Sequence, residues 1–275
     1  GFDLVVNDVD GESLEELNRA GAASKSLAEI GTDCDVIFTC LPSGTVVQEV
    51  LFGDGGVSST IKKGAIVVDH SSVTPEEARY GAERLKEFSV RFLDAPVSGG
   101  EPKAVAGDLA IMAGGEEDAF NKVIPHFEAI GSSAIRTGDV GSGSIAKLAN
   151  QIIVNLSIAV VSEAMVFAEK AGADPNLVYE AIRGGLAGSA VLDAKVPLMT
   201  SRNFQPGGKI SINHKDMTNV LSSAHKLDIP VPLTAQLYEI MQTLKVMGCM
   251  NEDHGAIVKY FEMLADVELG SRSAK

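Results

Sequence analysis

The sequence predicts an α/β chain: a doubly wound parallel sheet followed by an all-α domain, the two joined by a long inter-domain helix. Three observations carry that prediction. Up to about residue 140, short β-branched runs alternate with helix-like stretches, and the runs are too apolar to be strands with one wet face. From Gly141 the strand signals stop and a 3.6-residue periodicity takes over. At the junction, Ser144–Ala171 reads as a single helix of ~28 residues, ~42 Å long at 1.5 Å per residue. The expected domains are therefore residues 1–140 and 141–275.

In chain order, the strand candidates are Leu4–Asn7, Val36–Thr39, Ala65–Asp69, Arg91–Val97, Leu109–Ala113 and Ala134–Thr137. Helix-like segments Ser13–Ala20, Val46–Leu51, Pro75–Lys86 and Glu116–Ile130 lie between them. In the second half the periodic segments are Ser144–Ala171, Pro175–Gly184, His214–Lys226, Pro232–Leu244 and Gly255–Val267. The junction helix is apolar around much of its circumference, so other helices or a partner subunit must bury it, and it is expected to supply dimer contacts. The tail from Gly270 has no apolar periodicity and is expected to fray.

Composition narrows the function classes. The chain carries 23 Lys plus Arg against 37 Asp plus Glu, a net charge of −14. Such a surface repels phosphate backbones, so no nucleic-acid partner is expected. Three cysteines, Cys34, Cys40 and Cys249, form no Cys-x-x-Cys pair, and the five histidines show no ligand spacing. Neither a disulfide scaffold nor a metal site is expected, and a reducing compartment fits. The most apolar run, Ile152–Val161, is about half the ~20 residues a membrane span needs. With no basic start or apolar signal core either, the chain is expected to be cytoplasmic, without a membrane partner.

Two motifs carry chemistry. Phe92-Leu-Asp-Ala-Pro-Val-Ser-Gly-Gly-Glu-Pro-Lys103 runs a strand straight into Ser98-Gly99-Gly100. Glycines there let successive backbone N–H groups converge on an anion, and Ser98 adds a hydroxyl donor, an arrangement that suits a small carboxylate. The plain alternative is a turn. Gly141-Ser-Gly-Ser-Ile-Ala-Lys-Leu-Ala-Asn-Gln151 opens the long helix, with Ser142 or Ser144 as cap. Lys147 then lies near the helix's positive end, with Asn150 and Gln151 on the same face. A cation so placed is expected to have a lowered pKa and to exchange protons near neutrality; the plain alternative is a solvated surface lysine. Cys40-Leu-Pro-Ser43 and Asp69-His-Ser-Ser72 end two strands at one sheet edge, and His214-Lys215-Asp216 lies at a helix start.

The first strand candidate ends at Asp8, an acid of the kind that accepts from ribose hydroxyls in a Rossmann-type unit, ~20 residues after a Gly-x-Gly-x-x-Gly turn. Only seven residues precede it. Either the fold binds no dinucleotide, or the chain begins at the second strand of such a unit.

Taken together, the segments 94–100 and 141–151 and the pair Lys215-Asp216 resemble, in order and spacing, the β-hydroxyacid dehydrogenases, and the resemblance covers essentially the whole chain. Segments 181–195 and 202–207 are most similar to the branch that reduces tartronate semialdehyde. The resemblance implies an NAD(P)-dependent interconversion of a short hydroxy acid and its semialdehyde. It implies Lys147 as the catalytic lysine, and Ser98, Gly99 and Gly100 as the residues that hold the substrate carboxylate; four after the lysine, where several members carry Asn, this chain has Gln151, and Gln151 and Asn150 are the further substrate-binding candidates. Leu41, Pro42, Ser72 and Lys215 match cofactor contacts, and Asp8 the ribose acid. Val9 stands where NADP-preferring relatives often carry Arg, which tilts the choice toward NAD. Relatives carry a strand and glycine turn ahead of the segment that matches Gly1, so an N-terminally incomplete dinucleotide domain and weak cofactor binding are the expectations for this chain. A homodimer or homotetramer through the helical domain is implied. Methylmalonate semialdehyde, glyoxylate and succinic semialdehyde are alternative substrates, and a non-catalytic dimerisation module is the alternative of another class. Glu101, Lys103, Arg183 and Arg202 are the charged residues that could choose among substrates.

Overall fold

The computed structural model describes residues 1–270, so the last five residues of the tail expected to fray lie outside it. The chain forms two compact units. One comprises Gly1–Gly99 with Lys103–Lys147, and the other Gly100–Pro102 with residues 148 onward.

In the first unit, β1 (Val5–Val6) and β2 (Ala23–Ser24) form a parallel pair, separate from the main sheet. The main sheet contains β3 (Val36–Thr39), β4 (Ile66–Asp69), β5 (Arg91–Asp94), β6 (Val97–Ser98), β7 (Leu109–Gly115) and β8 (Gly131–Gly138). Its order is β3-β4-β5-β7-β6, and β8 lies along β7. Strand alternation sends Ile37, Val67 and Phe92 into one core and Ile66, Val68 and Leu93 into another. Helices α2 (Leu27–Asp33), α3 (Gly44–Phe52) and α4 (Pro75–Lys86) close the first core with Ile30, Leu51 and Leu85. Helix α6 (Glu117–Ile130) closes the second with Phe120, Val123 and Phe127. Helices on both faces explain why these strands read as continuous apolar runs.

Two strand expectations need correction. The predicted run Arg91–Val97 is interrupted before Pro96, giving β5 and β6, because proline has no N–H for the ladder. The sheet is also mixed rather than parallel throughout: β5 and β6 both pair antiparallel with β7, while β3-β4-β5 and β7-β8 are parallel. Residues 99–108, including the short helix α5 (Gly100–Ala106), are all that separates β6 from β7, too short for a parallel crossover.

Local signals set the helix starts. Ser26 with Glu29 and Thr74 with Glu77 form reciprocal capping boxes at α2 and α4, and Pro75 occupies the first position of α4. Asp10 caps α1 (Gly11–Arg19), and Ser43 caps α3.

The second unit is helical. It contains most of α7 (Ser142–Ala171), then α8 (Pro175–Ile182), α9 (Ala190–Thr200), α10 (Ile210–Lys226), α11 (Pro232–Val246) and α12 (Val258–Ala265). Ile158, Met165, Val196, Met199, Met217, Leu237 and Met241 form its core. Helix α9 is an element the sequence periodicity does not predict; Ser189 caps it and Pro197 lies inside it. The expected segment Gly255–Val267 divides into a 3-10 turn, His254–Ile257, and α12.

Helix α7 is longer and more consistently apolar than the run Ile152–Val161 suggested. An 18-residue window has mean hydropathy 1.8, long and apolar enough by composition to cross a membrane, and half of it is buried inside the protein. The unburied half includes Ile153, Val160 and Phe167, seven residues apart and 66, 63 and 74% exposed.

At the start of α7, Gly143 packs so closely that a Cβ would lie 2.3 Å from the Asp94 carbonyl oxygen and 2.4 Å from that of Met112. Gly143→Ala is therefore expected to lower stability by about 2–3 kcal/mol, as overpacking against rigid backbone does, measured by urea unfolding.

Candidate active site

In the first unit, the carboxyl end of β5 organises the start of α7. Asp94 is 1% exposed; its Oδ1 accepts from the Gly141 N–H at 2.8 Å and its Oδ2 from the Ser144 N–H at 2.7 Å. The cap is thus a carboxylate from a distant strand, in place of the Ser142 or Ser144 hydroxyl expected from the sequence. Helix starts leave N–H groups without intrahelical partners, and a carboxylate meets both that need and the helix dipole.

One turn further, the Lys147 amine donates to the Val97 carbonyl oxygen at 2.8 Å. That carbonyl immediately precedes Ser98. Ser98 is half-buried, Gly99 and Gly100 are exposed, and both glycines have positive φ (142° and 67°), a conformation that only glycine adopts at little cost. The anion-nest residues and the lysine thus converge at Ser98–Gly99, while Gly100 is grouped with the second unit.

The neighbouring strand ends carry a second buried carboxylate. Asp69 pairs in register with Asp94, is 1% exposed, and accepts at Oδ1 from the Thr39 hydroxyl (2.8 Å) and the Ser71 N–H (3.0 Å). Ser71 Oγ in turn accepts from the Leu41 N–H at 2.8 Å, fixing the backbone just ahead of Pro42. Leu41, Pro42 and Ser72 therefore follow two adjacent parallel strands at their carboxyl ends, the edge where ligands bind in such sheets. Asp8 ends the separate β1–β2 pair and accepts from the Asp10 N–H at 2.9 Å, with fully exposed Val9 beside it. Donor and acceptor chemistry at these positions fits a nucleotide: a carboxylate for ribose hydroxyls, an apolar Leu-Pro wall for a flat ring, and hydroxyl donors beyond it.

In the second unit, Lys215 and Gln151 meet at one carboxylate. Asp216, 1% exposed, accepts from Gln151 Nε2 at 2.6 Å through Oδ2 and pairs with Lys215 Nζ at 3.3 Å through Oδ1. Gln151 Nε2 also donates to Asn213 Oδ1 at 3.3 Å, and Gln151 Oε1 accepts from Asn150 Nδ2 at 3.0 Å. Both amide hydrogens of Gln151 are thereby engaged inside the protein, and its side chain is buried. Of the two amides nominated for substrate, the half-buried Asn150 is the one with unspent hydrogen-bonding capacity among the described residues.

The cations nominated for substrate choice are committed elsewhere. Lys103 pairs with Asp108 at 3.0 Å. Arg183 pairs with Glu180 and Asp193, and Arg202 with Glu262 and Glu268. The sequence gives no signal for Asp94, Asp69, Asn213 or His254, each of which has a partner 30 or more positions away.

Burial pushes the Asp94 carboxyl above its ordinary range, against the N–H bonds from Gly141 and Ser144 that lower it. Burial raises Asp69 too, against the hydrogen bonds from Ser71 and Thr39. A folded-state value above the unfolded one means the native state holds its proton longer. Stability therefore falls as pH rises from the ordinary carboxylate range through the elevated folded value. Asp69→Asn keeps an oxygen for Thr39 and Ser71 and removes a buried charge. Its stability at neutral pH should stay within about 1 kcal/mol of wild type, with a shallower pH slope. Asp94→Asn must turn an amide N–H toward one of two helix N–H groups and should lose about 2 kcal/mol or more. Urea melts of both variants at acid and neutral pH check the contrast.

Comparison with known proteins shows the family. A family model for the NAD-binding domain of 6-phosphogluconate dehydrogenase matches residues 1–138, and one for the NAD-binding of NADP-dependent 3-hydroxyisobutyrate dehydrogenase matches residues 141–261. The chain is 42% identical to 2-hydroxy-3-oxopropionate reductase of Escherichia coli, over 98% of this chain and 92% of that protein. It is 33% identical to 2-(hydroxymethyl)glutarate dehydrogenase of Eubacterium barkeri, over 91% and 84%. The crystal structure of 3-hydroxyisobutyrate dehydrogenase from Salmonella typhimurium superposes with a TM-score of 0.85 at 28% identity, covering 94% of this chain and 91% of that one. The chain belongs to the 3-hydroxyisobutyrate dehydrogenase family of NAD(P)-dependent enzymes acting on hydroxy acids.

Proposed function

We propose that the protein reduces tartronate semialdehyde (2-hydroxy-3-oxopropanoate) to D-glycerate, with Lys147 as general acid. The observation that carries the chemistry is the Lys147 amine held at 2.8 Å from the Val97 carbonyl, directly beside Ser98–Gly99. The substrate choice is supported by the identity to the Escherichia coli 2-hydroxy-3-oxopropionate reductase.

The nicotinamide, when bound, supplies the hydride to the aldehyde carbon. Lys147 donates a proton to the carbonyl oxygen as it becomes an alkoxide, so the aldehyde gains one hydride and one proton; in oxidation the amine takes that proton back. Ser98 Oγ and the Gly99 and Gly100 N–H groups donate to the substrate carboxylate. Asn150 orients the substrate, and Gln151 supports it from within. Asp8 would accept from the ribose hydroxyls of the cofactor, and Leu41, Pro42, Ser72 and Lys215 would help to hold it. With an acid at Asp8 and the uncharged Val9 next to it, NAD is the favoured cofactor over NADP.

Three cysteines with no Cys-x-x-Cys pair among them support a reducing, cytoplasmic location. The exposed Ile153, Val160 and Phe167 stripe supports a homodimer or homotetramer through the helical domain, since an apolar stripe of this kind favours a covered face. Val160→Glu is expected to lower the solution mass toward that of a single chain, read by light scattering.

The deciding assay on the full-length protein is NADH oxidation with tartronate semialdehyde, beside methylmalonate semialdehyde, glyoxylate and succinic semialdehyde. Tartronate semialdehyde should have the highest kcat/KM, and Lys147→Ala should lose roughly 100-fold or more in kcat. A higher kcat/KM for another aldehyde replaces the substrate assignment, and an unimpaired Lys147→Ala overturns the role of the lysine.

A further inference from the structure

The Gln151 amide belongs to a longer buried chain of polar groups in the second unit. Asn213 Nδ2 donates to the Lys209 carbonyl at 3.0 Å and to His254 Nδ1 at 2.9 Å, which turns Asn213 Oδ1 toward Gln151. His254 can accept there only as a neutral imidazole with its proton on Nε2. Burial, and then the nearby Lys195 cation, push its pKa down to about 4, so the neutral form prevails at physiological pH.

The backbone that carries the imidazole is held firmly. The His254 backbone N–H donates to the Gly208 carbonyl at 2.8 Å. Next to it, Asp253 is 1% exposed, pairs with Lys195 at 2.9 Å, and accepts from the N–H groups of Gly207, Gly208 and Gly255. Those bonds pin segment 207–209, where α10 begins, to segment 253–255.

An amide side chain has two orientations of nearly equal shape and opposite polarity, so its neighbours must choose between them. At Asn213 the choice is made by two acceptors, Lys209 O and His254 Nδ1. At Gln151 it is made by Asn213 Oδ1 and the Asp216 carboxylate, and the result is an Oε1 that accepts from Asn150. We propose that His254 is a positioning residue: acting through Asn213 and Gln151, it fixes which way the Asn150 amide faces the substrate. The inference rests on the reading that Asn150 contacts substrate. It assigns no contact with substrate or cofactor to His254.

The test compares steady-state kinetics of the full-length wild type, His254→Leu, His254→Gln, Gln151→Leu and the His254→Leu/Gln151→Leu double variant, with NADH and tartronate semialdehyde. His254→Leu should raise KM for the semialdehyde roughly tenfold, the worth of one misdirected hydrogen bond, while kcat and the Kd for NADH stay within about twofold. His254→Gln, which restores an acceptor, should recover most of that loss. The double variant should be no worse than Gln151→Leu alone, because both act on one relay. If His254→Leu melts too low to assay, Asn213→Leu carries the same comparison. An unchanged KM, additive losses, or a fall in kcat and melting temperature with KM intact would overturn the proposal.

A readout independent of turnover separates this inference from the reaction assigned above. In 15N NMR at about pH 7, His254 should carry its proton on Nε2 and leave Nδ1 bare, and the Gln151 side-chain amide should be protected from exchange. A protonated Nδ1 or a freely exchanging Gln151 amide refutes the relay. A wild type inactive on every short semialdehyde refutes the reaction, and the NMR result still decides the relay.

Discussion

The Asp94 carboxylate is the constraint on which the rest of the first unit's chemistry depends. Helix α7 starts inside the protein, where water cannot satisfy its first N–H groups, and leaving such groups unpaired costs ~1–3 kcal/mol each. One carboxylate at the end of β5 meets the Ser144 N–H and that of Gly141, just ahead of the helix. Because Asp94 is the last residue of β5, the same cap fixes the helix start relative to the strand end. Lys147 and the Val97–Ser98 backbone then meet at hydrogen-bond distance as a consequence. The close approach this requires is also why position 143 must lack a side chain.

The cap has an electrostatic side. Asp94 and Asp69 are side by side in register, both buried, and burial raises both. Two adjacent buried acids are costly unless each is hydrogen-bonded, and here each meets at least two donors. The arrangement places acceptors at two strand ends where they hold backbone: α7 in one case, the Leu41 loop through Ser71 in the other. The polar groups at this sheet edge are thus largely structural, and they position the few that the proposed function assigns to ligands.

Much of the fold was legible because period-2 and period-3.6 patterns are local. Pro75–Lys86 and Val36–Thr39 are present with the expected bounds, and the alternation of strands and helices followed directly. Arg91–Val97 reads as one strand because composition does not show where Pro96 interrupts a ladder. Helix α9 escaped because its internal Pro197 and the glycines before it resemble a loop, and its cap, Ser189, is one serine among many. At the site, Ser98–Gly100 and Lys147 were visible as motifs. Asp94, Asn213 and His254 were not, because their roles depend on partners at sequence separations of 41 to 62 residues.

Those long-range bonds also bear on how an acidic chain can bind an acidic substrate. With a net charge of −14, the protein's long-range field opposes an anion, so binding must come from short-range contacts. Lys103, Arg183 and Arg202 are each neutralised by neighbouring acids. On the proposed reading, the carboxylate is therefore held by Ser98 Oγ and glycine N–H groups, neutral donors whose attraction depends on direction rather than on net charge. Directional donors work only if the backbone that carries them is fixed, which Lys147 helps to ensure through the Val97 carbonyl. Such a site can match one small carboxylate closely. Lys103, Arg183 and Arg202, already paired with acids, are then not available to a second charged group, in keeping with the short hydroxy acid of that reading.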